Sequence, residues 1–270
     1  MPLKRFPRPR LITFDAYGTL LTPKGSVSQQ YVKYMSRHGV HAEAPQIETN
    51  FKAAFKAVLN EYPNYGKSVG MTIDEWWIRV VRGTFQGVPN VTNEALTGLY
   101  RHFNTCDPYF IFPDCEYALE AIGSRGYNIG ILSNSDPRMR SILDSFGLTP
   151  RLRSRDRDFF FLSYETGFEK PSADAFRNVQ RAMLDHNPED TQGCWHVGDD
   201  VETDFKGCLD AGWNAILVDR EGEAFEHALR HSNGNGQLSA DGRVLLVNEN
   251  QNTGIQIYLR DLRELPLLFD

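Results

Sequence analysis

An acidic residue directly after an apolar segment is the first feature of the sequence that suggests chemistry. Residues 11–14 are apolar or β-branched and predict a short buried strand, and Asp15 follows at once. Open α/β sheets bind their ligands at the carboxyl ends of their strands, so a carboxylate at this place could act on a ligand. The alternative is an aspartate that begins a loop or caps a helix.

Further polar residues follow the other predicted strands. They carry hydroxyl, amide, ammonium and carboxylate groups: Ser133, Asn134, Lys170, Asp199, Asp200 and Asp204. Because parallel strands end at one edge of a sheet, these residues can converge with Asp15 although they are distant in sequence. Each alone could be a turn residue, a helix cap or a solvated helix end. Their joint occurrence in this chain order favours a site.

The predicted site combines groups for a metal ion with groups for a phosphate. Two or three carboxylates suit Mg²⁺, a hard cation that prefers oxygen ligands. Hydroxyl or amide groups from Thr19, Ser133 and Asn134 suit a phosphate, as does the Lys170 ammonium. A carboxylate such as Asp15 can attack phosphorus and form an aspartyl-phosphate. The metal and Lys170 would offset the repulsion between the two anions.

Short apolar strands alternate with amphipathic helices over most of the chain. The predicted strands are 11–14, 127–132, 159–162, 194–197 and 215–218, with an edge strand at 244–247. This alternation predicts an α/β fold with a Rossmann-like, doubly wound parallel sheet. Near the end of the chain, a loop is predicted at 232–237 and a last helix at 257–268.

A helical insertion separates the first strand from the rest. Residues 27–104 carry four amphipathic helical patterns with no strand pattern between them, which predicts a small helical bundle. Its many aromatic residues are more typical of a core than of a cofactor site. The predicted domains are therefore a core of residues 1–22 and 108–270 and an α-helical cap of residues 23–107.

Composition and charge argue against several classes of function. The chain has 270 residues, 41% of them hydrophobic, and a net charge of −6, which is unfavourable for general nucleic-acid binding. No apolar segment is long enough for a membrane span, and the N-terminus lacks the apolar stretch of a signal peptide. The four cysteines have no zinc spacing and suit a reducing compartment. We expect a cytoplasmic protein, with the nucleus as the alternative, and the sequence indicates no particular protein partner.

Four motifs together resemble those of the haloacid dehalogenase (HAD) superfamily. They are Asp15-Ala16-Tyr17-Gly18-Thr19-Leu20, Leu132-Ser133-Asn134, Lys170-Pro171 and Gly198-Asp199-Asp200-Val201-Glu202-Thr203-Asp204. The resemblance spans roughly residues 11–220, and the helical insertion is similar to the C1 cap of subfamily IA. Within that cap, residues 71–77 resemble one branch of the superfamily. The resemblance implies a hydrolase with a Rossmann-like core and a C1 cap.

The resemblance also implies a role for each motif residue. Asp15 would be the nucleophile, and the reaction would be Mg²⁺-dependent hydrolysis of a small phosphorylated metabolite. The implied metal ligands are Asp15, Asp199, Asp204, the main-chain oxygen of Tyr17 and, as a further candidate, Asp200. The implied phosphate-binding residues are Gly18, Thr19, Ser133, Asn134 and Lys170. Ser133, Lys170 and Tyr17 are also candidate catalytic residues.

Tyr17 departs from the pattern of phosphatases in this superfamily. Those enzymes usually carry a second Asp two residues after the nucleophile, which protonates the leaving alcohol and then activates water. A tyrosine with an ordinary pKa of about 10 is a poor general base at neutral pH. Loss of the acid/base group costs roughly 10²–10⁴ in rate.

Two alternatives therefore stay open beside the phosphatase. The Asp-Ala-Tyr-Gly-Thr-Leu string also resembles that of 2-haloacid dehalogenases, which attack carbon, need no metal and lack the acidic fourth motif. This chain keeps three acids there, an unfavourable setting for an anionic haloacid. Arg37, the nearest cap candidate for a substrate carboxylate, is more typical of a solvated helix residue. The second alternative is a catalytically weak HAD-fold protein that binds metal or phosphate and acts through partner contacts.

Overall fold

The computed structural model describes residues 4–154, 157–183, 193–232, 236–247 and 254–270. These residues form two compact units. The first, called here the sheet unit, contains the chain up to Leu21 together with Ile111–Asn134 and Gly147–Asp270. The second, called the helical unit, contains Thr22–Phe110 and Ser135–Phe146.

The described part of the sheet unit is built on a sheet of eight strands. All described strands, in chain order, are β1 (Leu11–Phe14), β2 (Leu21–Pro23), β3 (Tyr109–Ile111), β4 (Ile129–Ser133), β5 (Arg153–Ser154), β6 (Arg157–Asp158), β7 (Phe160–Leu162), β8 (Cys194–Gly198), β9 (Asn214–Val218), β10 (Gly236–Leu238), β11 (Val244–Val247) and β12 (Gln256–Leu259). The order across the large sheet is β10-β11-β12-β9-β8-β1-β4-β7. Neighbours from β12 to β7 are parallel, and β11 is antiparallel to β10 and β12. The predicted Rossmann-like parallel sheet is confirmed, and the short pairs β2–β3 and β5–β6 lie outside it.

The central strands are buried at every position and largely apolar, because both faces of the sheet are covered. Leu11, Ile12 and Phe14 of β1 are fully buried. In the register of the sheet, Phe14 pairs with Ile131 of β4 on one side and with Val197 of β8 on the other. The three strands therefore end close together, and the residues that follow them share one edge of the sheet.

Helices make up most of the remaining structure. They are α1 (Val27–Ser36), α2 (Ala44–Glu61), α3 (Ile73–Thr84), α4 (Asn93–His102), α5 (Cys115–Gly123), α6 (Arg138–Ser145), α7 (Ser163–Thr166), α8 (Ala173–Met183), α9 (Gly207–Asp210) and α10 (Glu223–His231). A π-helical segment lies at Val201–Lys206, and 3₁₀ segments lie at Asn64–Val69, Thr149–Leu152 and Leu262–Leu268. Helices α1–α4 and α6 and the 3₁₀ segment Asn64–Val69 belong to the helical unit. The other helices named here belong to the sheet unit.

Aromatic side chains form the core of the helical unit. The ring centroid of Tyr31 lies 5.7 Å from that of Phe51, 6.1 Å from that of Phe85 and 5.0 Å from that of Phe103. Trp76 is fully buried in the same unit. These aromatic residues are packing residues, as the sequence indicated.

Residues 135–146 pack with the helical unit, whereas the predicted core of 108–270 included them. The Trp77 indole of α3 donates a hydrogen bond of 2.8 Å to Asp136 Oδ2. The Arg138 guanidinium lies over the Trp77 ring at 4.1 Å and pairs with Asp136 at 2.7 Å. These contacts explain the grouping, because they join a segment that follows β4 to a helix far earlier in the chain. The predicted boundaries at 22/23 and 107/108 stay predictions.

The predicted helix at 257–268 is wrong. The structure has strand β12 there, followed by the 3₁₀ helix at Leu262–Leu268. Ile257 and Leu259 are fully buried on alternate positions of the strand, and three buried leucines recur at every third residue of the 3₁₀ helix. Apolar residues at these two spacings together imitate an α-helical pattern.

The region that follows α10 is described in part. Of the predicted loop at 232–237, residues 233–235 lie outside the described residues, and Gly236 begins β10. Strand β11 is confirmed at 244–247, but β10 forms the sheet edge beside it. In the described ranges, no helix combines the length and the apolar character that a bilayer crossing requires.

Replacing Asp136 with alanine should destabilise the protein by roughly 3 kcal/mol, because the buried carboxylate accepts hydrogen bonds from both Trp77 and Arg138. The matched control is Asp174→Ala, which removes an exposed ion pair with Arg177 and should cost less than about 1 kcal/mol. Urea unfolding followed by circular dichroism measures both. Equal losses for the two variants would contradict the role assigned to Asp136.

Candidate functional site

The loop after β1, residues 15–20, is called here the nucleophile loop after the role predicted for its first residue. The Asp15 amide donates a hydrogen bond of 2.9 Å to the Val197 carbonyl of β8. The Leu20 amide donates one of 2.9 Å to the Ala16 carbonyl, which closes the loop into a tight turn. The Asp15 side chain is buried, so its carboxylate is held at the edge of the sheet in a low-dielectric setting.

Lys170 joins two acids from different strand ends. Its Nζ lies 2.7 Å from Asp15 Oδ1 and 2.5 Å from Asp204 Oδ1, and its side chain is 2% exposed. Burial alone would lower the pKa of Lys170, but attraction by Asp15 and Asp204 outweighs burial and raises this pKa above its ordinary value. The ammonium is therefore charged, and it partly neutralises the two carboxylates.

The two carboxylates respond differently to this arrangement. Burial raises the pKa of Asp15, and the attraction of Lys170 only partly opposes that effect. For Asp204, burial acts in the same direction, but Lys170 and His196 together hold the pKa below its ordinary value. Asp204 is thus the more firmly ionised of the pair.

Asn134 fixes the main chain of Lys170. Its side-chain Nδ2 donates a hydrogen bond of 2.7 Å to the Lys170 carbonyl, and its Oδ1 accepts one of 2.8 Å from the Lys170 amide. Ser133 precedes it as the last residue of β4 and is 3% exposed. Asn134 therefore lies beside Lys170 in the sheet unit, and the predicted contact of Ser133 and Asn134 with a phosphate stays a prediction.

His196, which lies inside the strand predicted at 194–197, is a further member of this network. Its Nε2 lies 3.1 Å from Asp204 Oδ1, and its Nδ1 lies 2.8 Å from the Thr13 hydroxyl. Burial lowers the pKa of His196, so the ring is neutral and holds the Asp204 carboxylate through a hydrogen bond. The sequence does contain a signal for this contact, because each of two otherwise apolar strands has one polar residue in its interior. These residues are Thr13 of β1 and His196 of β8, and they pair in the register of the sheet.

Asp199 contacts the nucleophile loop from the end of β8. The Thr19 hydroxyl donates a hydrogen bond of 2.9 Å to Asp199 Oδ1. Gly18 has a φ of +80°, and a Cβ atom added there would lie 2.0 Å from Asp199 Oδ2. Only glycine therefore fits this position, because it provides both the left-handed backbone and the space for the carboxylate.

Two further residues that the sequence analysis named as candidates, Asp200 and Tyr17, differ from the predicted metal ligand and the usual acid/base group. Asp200 Oδ1 accepts hydrogen bonds of 2.9 Å from the Glu202 amide and 2.7 Å from the Thr203 amide, so it caps the segment Val201–Lys206. This geometry favours the helix-cap alternative for Asp200 over a metal ligand. Tyr17 is 37% exposed, and no carboxylate stands at this position to serve as an acid or base.

Asp15, Asp199 and Asp204 could together hold a metal ion. Each offers a carboxylate oxygen, and these oxygens lie within 4.8 Å of one another. A set made only of carboxylate oxygens fits a hard divalent cation such as Mg²⁺. The predicted contribution of the Tyr17 main-chain oxygen stays a prediction.

Comparison with known proteins agrees with the fold and the motifs. Residues 9–212 match the model of the haloacid dehalogenase-like hydrolase family. Haloacid dehalogenase-like hydrolase domain-containing protein 3 of Mus musculus is 32% identical over 230 residues, which cover 83% of this chain and 86% of the mouse protein. That protein represents the branch that residues 71–77 resemble.

Solved structures show the same fold at low sequence identity. A 2-haloacid dehalogenase from Pseudomonas syringae pv. Tomato DC3000 superposes with a TM-score of 0.62 at 18% identity, covering 96% of this chain and 97% of that one. The putative HAD-hydrolase YfnB from Bacillus subtilis, solved bound to magnesium, has a TM-score of 0.55 at 17% identity, with 79% and 90% of the two chains covered. From its motifs, its sheet order and these matches, the chain belongs to the haloacid dehalogenase-like hydrolase family.

Proposed function

We propose that this protein is a Mg²⁺-dependent phosphatase that hydrolyses a small phosphorylated metabolite through an aspartyl-phosphate on Asp15. One observation carries the proposal: three carboxylates converge at the sheet edge, and two of them, Asp15 and Asp204, contact the buried ammonium of Lys170. A nucleophilic carboxylate, a fixed cation and a set of oxygen ligands for a metal are the groups that phosphoryl transfer to an aspartate requires.

The charge of the site supports a metal requirement. Three carboxylates stand against a single ammonium among the described residues of the site, so an anionic phosphate ester would be repelled by the protein alone. Asp15, Asp199 and Asp204 would hold Mg²⁺, which supplies a Lewis acid for the phosphoryl oxygens and offsets the excess negative charge. Lys170 would stabilise the charge that develops on the transferring group.

The reaction would run in two displacements. An oxygen of the Asp15 carboxylate attacks phosphorus, so that an O–P bond forms to Asp15 while the bond from phosphorus to the alcohol oxygen breaks. Water then attacks the same phosphorus, which releases inorganic phosphate and restores the Asp15 carboxylate. The hydrogen bond from the Thr19 hydroxyl would hold the Asp199 carboxylate, and the Asn134 side chain would hold the main chain of Lys170, through both steps.

The proton for the departing alcohol is the weak point of this mechanism. The position that carries an acid in related phosphatases is Tyr17, whose phenol is a poor proton donor and a poor base at neutral pH. The enzyme should therefore favour substrates with acidic leaving groups, because these depart without protonation.

A dehalogenase is the second candidate function. The Asp-Ala-Tyr-Gly-Thr-Leu motif favours it, since Tyr17 stands where the phosphatases have an acid. The acid trio opposes it, because an anionic haloacid would approach three carboxylates without a metal to neutralise them. The balance of charge therefore ranks the phosphatase first.

Wild-type protein should hydrolyse 4-nitrophenyl phosphate in the presence of Mg²⁺ and lose this activity in EDTA. Asp15→Asn should lower kcat at least about 10³-fold, as expected for loss of a covalent nucleophile. Asp210→Asn, which replaces an exposed aspartate of α9 in the same unit, is the matched control and should keep the wild-type rate.

Halide release from 2-chloropropionate without metal would instead support the dehalogenase. Absence of both reactions, with Mg²⁺ still bound in calorimetry, would support the non-catalytic alternative.

Tyr17→Asp should raise the rate on an alkyl phosphate by about 10²-fold or more, because it restores a group that can protonate the alcohol. The gain on 4-nitrophenyl phosphate should be much smaller, since 4-nitrophenolate leaves without a proton. Tyr17→Asn is the matched control, which has the same size without the acid. If Tyr17→Asp and Tyr17→Asn behave alike on the alkyl phosphate, the missing acid is not what limits this site.

A further inference from the structure

We infer that Arg220 is a positioning residue for the nucleophile loop, a role that rests on the proposed function of Asp15. Arg220 follows β9 in the sheet unit, two residues after the strand ends at Val218. Its Nη1 donates a hydrogen bond of 3.0 Å to the Gly18 carbonyl, and its Nη2 donates one of 2.9 Å to the Thr19 carbonyl. One guanidinium thus holds two successive peptide groups of the loop.

The guanidinium is itself held on two sides. Its Nε donates to Asp114 Oδ2 at 3.1 Å, and its Nη2 donates to Asp114 Oδ1 at 3.0 Å, a bidentate ion pair. Its carbon lies 3.7 Å from the ring centroid of Phe112. Asp114 is 3% exposed and also accepts a hydrogen bond of 2.9 Å from the Leu262 amide. Arg220 therefore has little freedom to turn away from the loop.

The held peptide groups belong to the two loop residues that contact Asp199. Gly18 has the left-handed backbone that makes room for the Asp199 carboxylate, and the Thr19 hydroxyl donates to that carboxylate. A change in the direction of the Gly18 or Thr19 carbonyl would rotate these peptide groups and move both contacts. Asp15 begins the same short loop, so its carboxylate would shift relative to Asp199 as well. Arg220 acts on the reacting groups through this loop.

A planar fork of donors is required for this arrangement. Arginine reaches a carboxylate and two carbonyls at once because its five N–H groups point in fixed directions. Lysine in its place could keep the charge near Asp114 but could not serve both carbonyls in the same geometry. Lysine at this position would therefore retain the ion pair with Asp114 but lose the paired hydrogen bonds to the Gly18 and Thr19 carbonyls.

Arg260 provides a matched control within the same unit. Its Nη2 lies 2.7 Å from Glu226 Oε1, its Nη1 donates to the Glu221 carbonyl at 3.3 Å, and its carbon lies 4.7 Å from the Phe225 ring centroid. These are the same three kinds of contact that Arg220 makes. None of the partners named here belongs to the nucleophile loop, so Arg260 shares the structural role without the positioning role.

The experiment compares Arg220→Gln and Arg220→Lys with Arg260→Gln and Arg260→Lys. Steady-state kinetics use 4-nitrophenyl phosphate with Mg²⁺, and hydrogen–deuterium exchange follows the peptide that contains residues 15–21. We expect Arg220→Gln to lower kcat roughly 10- to 100-fold with KM changed less than about threefold, because misplaced reacting groups slow the chemical step. Exchange in the loop should become faster. Arg220→Lys should show the same faster exchange with a smaller loss of stability, and both Arg260 variants should keep kcat within about twofold of wild type.

The two readouts separate failure of this inference from failure of the proposed function. Unchanged loop exchange and unchanged kcat in a folded Arg220→Gln protein would overturn the positioning role. Equal losses in the Arg220 and Arg260 variants would also overturn it, because they would show general destabilisation. If Arg220→Gln does not fold, Arg220→Lys provides the same comparison. If the wild-type protein has no phosphatase activity, the proposed function fails, and loop exchange alone decides the role of Arg220.

Discussion

The buried ammonium of Lys170 between Asp15 and Asp204 is the interaction on which the rest of the site depends. Two carboxylates at this separation in a poorly hydrated place would repel one another, and one of them would take up a proton unless a cation lay between them. Lys170 keeps them together, while Asn134 fixes its main chain and His196 contacts Asp204 Oδ1, the same oxygen that Lys170 contacts. A divalent metal would offset the negative charge that Lys170 alone leaves on the three carboxylates.

The sheet places these groups and the surrounding contacts keep them there. Because β1 pairs with both β4 and β8 in register, the nucleophile loop, Asn134 and Asp199 lie at one edge of the sheet, and Asn134 fixes the main chain of Lys170 beside them. The loop is then fixed from several directions, by Thr19 on Asp199 and by Arg220 on the Gly18 and Thr19 carbonyls. Such preorganisation lowers the cost of reaching the transition state. In the proposed mechanism, Tyr17 at the position of an acid would alter the handling of the proton.

The sequence predicted the features that are encoded locally. Apolar strands that end at Asp15, Ser133 and Asp199 can be recognised from a few adjacent residues, and the parallel order of the sheet follows from their alternation with helices. Contacts that depend on register or on distant partners could not be predicted in this way. The bond between His196 and Asp204 needs the pairing of β1 and β8, and Arg220 meets Gly18 across 202 positions of sequence. The same limit applies to residues 135–146, whose packing depends on the Trp77 indole.

Chemical trapping of the covalent intermediate tests the central claim most directly. Wild-type protein is mixed with Mg²⁺ and 4-nitrophenyl phosphate, quenched in acid and reduced with borohydride, which converts an aspartyl-phosphate into homoserine. Mass spectrometry of the peptide that contains residues 11–21 should then show homoserine at position 15, and Asp15→Asn protein should show none. Hydrolysis of the ester with an unmodified Asp15, or with the modification at Asp199 or Asp204, would contradict the assignment of Asp15 as the nucleophile.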